Sequence, residues 1–407
     1  MNLKPFQGKL QSYFRTQRGS IVGLWAAYFL YWGSIAPFVP YLGLYLESVQ
    51  LSGNQIGQLG SLRALVSFFS AIALAFLSDV LRRRKLILLI CVVGMIAALI
   101  LFPYMASFAT LLPVVVLYSI FQSPAIAILD EDTLRALENP RDYSMVRMGG
   151  SLGWGIMVFL AGLILNRPDA PLSVMFSLHI VLLLPLLGLI IFLPAAHQNT
   201  PKETEKARFS DILDLMRFPG FALWMGIIFL FGLTEASMIN FLFLHIKSLG
   251  GNSIVMGLAM VMAIVGEIAG FAVAKRLQGR IGSRRMMVIS FVFRLVWFIL
   301  MALIRQPAVI LPVLMLSGGS FAMIEAGSVA YVNERAPRKI GTTAQGVRSA
   351  ILIRLSMAVG SLLAGWLYQD FGSGVMYGAM GAFSAASLVL AIRLRAADRR
   401  REALKSL

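Results

Sequence analysis

The chain has 407 residues, 58% of them hydrophobic and 14% charged, with a formal net charge of +17. A soluble domain carries about a quarter charged residues, so this composition points to a chain built to face lipid. One cysteine, Cys91, and three histidines, His179, His197 and His245, exclude an internal disulfide and any cysteine-based metal centre, and no cofactor is expected.

The N-terminus is polar and basic, and its first long apolar run leads straight into further runs, so no cleavable signal peptide is expected. Runs of the length that crosses hydrocarbon, about 20 residues, follow in order. They lie at 21–46, 55–78, 86–104, 109–130, 146–166 and 172–194, then at 219–246, 253–275, 286–304, 308–332, 344–369 and 374–394. Backbone polar groups in lipid must be satisfied within the segment, and unbroken apolar character excludes an alternating barrel strand. The expectation is an all-α membrane protein of about twelve transmembrane helices.

Lys and Arg fall in alternate connections. One set holds Arg82 to Lys85, then Arg135 and Arg141, then Lys202 to Arg217, Lys275 to Arg285, and Arg335 to Lys339, together with both termini. The other set holds only Arg167, Lys247 and Arg305. Positive loops stay cytoplasmic, which predicts both termini inside, an even span count, and a multi-pass protein of the cell inner (plasma) membrane. Topology thereby accounts for the net charge, and nucleic acid is not an expected partner.

The chain repeats itself at an offset of about 201 residues. Arg83-Arg84 is answered by Arg284-Arg285 and Val146-Arg147 by Val347-Arg348; Leu160-Ala161-Gly162 is answered by Leu363-Ala364-Gly365 and Phe29-Leu30 by Phe229-Leu230. The polar stretch around 195–218 separates the copies. The expected organisation is therefore a six-helix bundle over 1–194, a cytoplasmic linker over 195–218, and a second six-helix bundle with a basic tail over 219–407. Two parallel six-span repeats are the major facilitator architecture.

The second-to-third connection, Ser78-Asp79-Val80-Leu81-Arg82-Arg83-Arg84, resembles the Gly-x-x-x-Asp-Arg-x-Gly-Arg-Arg signature of the major facilitator superfamily. It departs in having Ala75, Val80 and Arg82 where the signature has Gly, Arg and Gly. Ser123-Pro124, Asp130 and Asp142-Tyr143-x-x-Val146-Arg147-x-x-Gly150-Ser151 are similar to the pattern of the branch that holds the phenylpropionate, galactoside and nucleoside proton symporters. Gly266-Glu267 followed by Arg294 resembles the galactoside permease pairing of a substrate-binding glutamate with an arginine. Ser317 and Ser320 stand where that permease has its proton-handling His and Glu.

Ionisable residues near the bilayer centre need a partner, a wet cavity or a function. Arg63, Glu235, Glu267, Arg294, Glu325 and Arg354 are such residues. Glu267 and Arg294 sit about equally far from one cytoplasmic turn, so they are expected to pair. The bland alternative is a static buried ion pair that only fixes packing. Glu235 and Glu325 show no same-depth neighbour in the sequence; each is a candidate proton carrier or a glutamate hydrogen-bonded while protonated. Arg63 and Arg354 could hold an anionic substrate or neutralise those glutamates.

Asp79 with Arg83, and Asp130 with Arg147, read as gating ion pairs, against ordinary snorkelled surface charge. Tyr28 and Trp32 lie on an aromatic stripe that could stack on a substrate ring, although such a stripe is more often packing. Pro37 and Pro40 should kink the first span.

The chain has no phosphate-binding Gly-x-x-x-x-Gly-Lys loop and no metalloprotease motif, so neither ATP-driven transport nor an enzyme is expected. The resemblance implies a proton-coupled symporter of a small organic solute, with an aromatic acid as its substrate class, working as a monomer. An efflux antiporter for hydrophobic compounds, and a non-transporting sensor or scaffold, are the competing readings.

Overall fold

The computed structural model describes residues 16–81, 83–137, 143–193, 220–335 and 341–405, and shows no strand among them. The linker expected over 195–218 lies outside the described residues. The chain folds as α1 Gln17–Ile35, α2 Leu42–Ser48, α3 Gly53–Leu81, α4 Arg84–Leu101, α5 Phe108–Ala136, α6 Tyr143–Leu165 and α7 Val174–Phe192. It continues with α8 Phe221–Ser248, α9 Ser253–Leu303, α10 Pro307–Arg335, α11 Gly341–Ala350, a π turn Ile351–Leu355, and α12 Ser356–Lys405.

Among the described residues, nine helices are long and apolar enough to cross a membrane. Their outer faces carry large side chains such as Phe69, Phe76, Ile268 and Leu303, each more than half exposed. Such a surface suits hydrocarbon and would be an aggregation site in water.

The sequence dictates where helices stop. Thr16 accepts a hydrogen bond from the Gly19 amide and starts α1; Ser107 and Thr110 cap α5 reciprocally. The first predicted span divides into α1 and α2 around a turn holding Pro37 and Pro40. Proline has no amide hydrogen to donate and clashes with the preceding turn, so the expected kink is present.

Helix α9 has 51 residues, about 77 Å at the helical rise, more than twice a hydrocarbon core of roughly 30 Å. Its backbone leaves the helix at Gly282, at φ 79° and ψ 161°, dividing it into two limbs. Helix α12 breaks in the same way at Gly372, at φ 79° and ψ 174°. Side chains resist that backbone region and glycine does not.

The chain forms two compact units, one of residues 1–51 with 62–202 and one of residues 52–61 with 203–407. In the first, α1 packs on α6 and α7, and α4 on α5 and α7. The α1–α6 contact is close because Gly149, Gly150 and Gly153 lie against Trp25, Phe29 and Trp32, where a β-carbon would overlap. Cys91 is buried in this unit with its thiol free.

In the second unit, α9 packs on α10, and α8 on α12. An apolar core of Phe221, Trp224, Ile228, Phe291, Tyr331 and Leu394 joins these helices. The first turns of α3 belong to this unit: the Gly53 amide donates to Gln369 Oε1 at 2.7 Å, and Gly57 lies against Gly365.

Candidate functional site

The most deeply buried charges lie in the second unit. Arg294, on the second limb of α9, is fully buried, and Nη2 lies 2.5 Å from Oε1 of Glu235 on α8. Nη1 donates to Ser317 Oγ of α10 at 2.9 Å, and Ser317 Oγ lies 3.2 Å from Met238 Sδ. The guanidinium carbon sits 4.5 Å from the Trp297 ring centre, 5.0 Å from Phe298 and 5.2 Å from Phe231. Aromatic faces attract cations, and the attraction grows when water is excluded. One cation is thus held by one carboxylate, one hydroxyl and three rings.

This geometry corrects the expected pairing of Arg294 with Glu267. Equal distance from a shared turn fixes depth, whereas helical phase decides which way a side chain points. The first limb of α9 presents Gly266 and Gly270 to α10, and Glu267, half-buried, lies beside the lipid-exposed Val265 and Ile268. Arg294 meets α8 instead. Ser317, expected to replace a proton-handling residue, is a direct partner of Arg294.

Glu325 has a partner that sequence reasoning missed. Arg348 grips it with two parallel bonds, Nη2 to Oε1 and Nη1 to Oε2, each 2.9 Å. Nη1 also donates to Ser328 Oγ at 2.8 Å and Nε to Gln345 Oε1 at 2.9 Å; Gln345 in turn donates to Asn333 Oδ1 and the Val329 carbonyl. The signal was the repeat itself. Val347-Arg348 answers Val146-Arg147, so the expected partnership of Arg147 with a carboxylate of the preceding span has its counterpart in Arg348 with Glu325.

In the first unit, Arg147 lies 3.7 Å from Asp130, bringing together the pair expected from sequence. Asp130 also accepts hydrogen bonds from the hydroxyls of Tyr28, on α1, and Tyr143 at 2.9 Å. Tyr28 is therefore a ligand of the Asp130 carboxylate and is fully buried, while Trp32 packs against Gly150 and edge-on to Trp154. Arg63 lies within electrostatic reach of the buried Tyr118 hydroxyl. Arg83 is exposed, and the Asp79 side chain lies outside the described residues. Arg354 is half-buried within the π turn.

No group of three or more His, Cys, Asp or Glu among the described residues could hold a metal. Paired charges on neighbouring helices, inside an apolar helical protein, define a multi-pass membrane protein equipped to handle a polar solute. The sequence matches the MFS_1 like family over residues 21–379, and the chain belongs to that family of major facilitator superfamily transporters.

It is 26% identical over 367 residues to the probable 3-phenylpropionic acid transporter of Escherichia coli (strain K12), a match covering 86% of this chain and 92% of that one. It is also 26% identical over 366 residues to the maltose permease of Geobacillus stearothermophilus, covering 86% and 88%. Its fold is similar to that of the nucleoside transporter NupG, with a TM-score of 0.81 at 16% identity over 92% of this chain and 99% of that one. The protein is a transporter and not an enzyme; it acts on a small-molecule substrate from within a membrane.

Proposed function

We propose that the protein is a proton-coupled symporter that carries a small organic solute, with an aromatic acid as its class, across the inner membrane by alternating access. The observation that carries this reading is the buried Glu235–Arg294 pair beneath Phe231, Trp297 and Phe298. An aromatic carboxylate offers Arg294 the anion that Glu235 now supplies, and its ring matches the surrounding rings. Once displaced, Glu235 is a desolvated carboxyl that favours its protonated form. Solute binding and proton uptake are then linked through one arginine.

Glu267, Glu325, Arg63 and Arg354 complete the set of charges assigned to substrate or proton handling, with Tyr28 and Trp32 on the aromatic side. Asp130 with Arg147, and Asp79 with Arg83, act as gating pairs that part as the transporter changes state. The reading includes twelve crossings, six in each half about a cytoplasmic linker, both termini cytoplasmic, and a monomer. The breaks at Gly282 and Gly372, which divide the two longest helices, support that count. The name of the phenylpropionic acid relative supports the substrate class.

The test is pH change in a lightly buffered suspension of vesicles containing the protein as aromatic acids, sugars or nucleosides are added. The expected result is external alkalinisation with an aromatic acid, abolished by Glu235→Gln. Uptake of the acid with no proton movement would overturn the coupling. Proton release on solute addition would favour the antiporter instead.

A further inference from the structure

The polar atoms of the second unit that lack partners are not scattered. Arg294 Nε, Trp297 Nε1, Tyr377 Oη and His245 Nε2 are all buried, and none has a hydrogen-bond partner among the described residues. Buried polar groups are almost always satisfied, by protein or by ordered water. Four such atoms on contiguous side chains therefore mark a place where water completes the structure.

The side chains form a continuous line. From Glu235 and Arg294 the line passes to Trp297, 4.5 Å from the guanidinium carbon. Trp297 meets Tyr377 at 5.9 Å between ring centres, and Tyr377 meets His245 edge-on at 4.9 Å. His245 Nδ1 and Ser373 Oγ share a hydrogen bond of 2.8 Å, either atom able to donate. Its Nε2 faces the Met301 main chain without closing a hydrogen bond.

The fold builds this line on purpose-shaped elements. His245 lies in the last turn of α8, and the break at Gly372 starts the limb that carries Ser373 and Tyr377. The line runs from the charge pair to the α8 end nearest Lys247, one of the sparsely charged connections. Arg305 acts on His245, and both Arg294 and Tyr368 act on Tyr377. A lone proton is thus disfavoured beside either cation, and transfer must be passed on rather than stored.

We propose that a chain of bound water fills this seam, from Glu235 and Arg294 past Trp297 and Tyr377 to His245, and conducts the coupling proton. His245 takes a proton at one ring nitrogen and releases one from the other, so the ring gains no net charge over a cycle. The proposal rests on the proton-coupled reading above and names the route within it.

Two measurements test it. Hydroxyl-radical footprinting by X-ray pulses, in the reconstituted protein, should modify Tyr377 more than Tyr41. Both are fully buried, but Tyr41 has a carbonyl partner, Val158. An unmodified Tyr377 overturns the seam. Separately, His245→Gln and Tyr377→Phe should each lower pH-gradient-driven accumulation by about tenfold or more, the scale of losing a proton-transfer group, while solute counterflow persists. If the unaltered protein couples protons and both variants match it, the route is wrong and the symport reading stands. If the unaltered protein moves no protons with solute, the symport reading itself fails. Should a variant misfold, the footprint of the unaltered protein still decides.

Discussion

Arg348 and Arg147 occupy equivalent places in the two copies of the repeat, yet they hold their carboxylates differently. Arg348 is nearly buried and makes a fork-on-fork pair with Glu325, whose side chain is 26% exposed. Arg147 is half-exposed, meets Asp130 at 3.7 Å, and shares that carboxylate with two tyrosines. Removing one partner of a largely buried pair leaves an uncompensated charge, a loss of about 3 kcal/mol. Arg348→Ala should therefore lower the unfolding midpoint in detergent, and adding Glu325→Ala should recover most of the loss. A double variant no more stable than the single would remove the ion pair as the cause. At this scale, residue types and depths were legible in the sequence and partners were only partly so. Asp130 with Arg147 was read correctly because the two flank one short loop. Glu235 with Arg294 was not, because that contact joins α8 to the far limb of α9 and depends on helical phase.

Helix contacts in both units are set by glycine. Gly318 of α10 lies against the Ala263 carbonyl of α9, where a β-carbon would overlap it; the next residue, Gly319, has only ordinary contact distance to its neighbour at 3.4 Å. Gly318→Ala should destabilise the protein by about 1–3 kcal/mol, as overpacking does. Gly319→Ala should be neutral or slightly stabilising, since alanine is the better helix former. Equal melting temperatures for the two variants would show that the α9–α10 contact tolerates expansion. The existence of these helices was legible from their apolar runs. Their breaks were legible less directly: the basic stretch 275–285 marked a connection, but helix continues through most of it, and only Gly282 departs. The division of the first span was foreseeable from Pro37 and Pro40, whose chemistry is local.

For the whole molecule, orientation follows from where Lys and Arg fall, a property of the sequence that needs no tertiary contact to read. Cys91 is the chain's single cysteine and is fully buried, so an introduced cysteine reports alone. Asp169→Cys and Arg280→Cys both place the thiol at exposed positions. An impermeant maleimide should label the first in intact cells and the second only after permeabilisation. Labelling of both from outside would overturn the orientation. The repeat was legible too, and it carried more than was first drawn from it, since it foretold a carboxylate partner for Arg348.

The π turn at Ile351–Leu355 records how the two copies diverged. Before it, Val347-Arg348 answers Val146-Arg147; after it, Leu363-Ala364-Gly365 answers Leu160-Ala161-Gly162 at an offset longer by two. A π turn takes up extra length because its hydrogen bonds reach one residue further than those of an α-helix. Each added residue turns everything beyond it by about 100°. The duplication therefore did not leave two interchangeable copies: an insertion rotated the remainder of this span, and Arg354, inside the insertion, has no ancestral counterpart in the first copy.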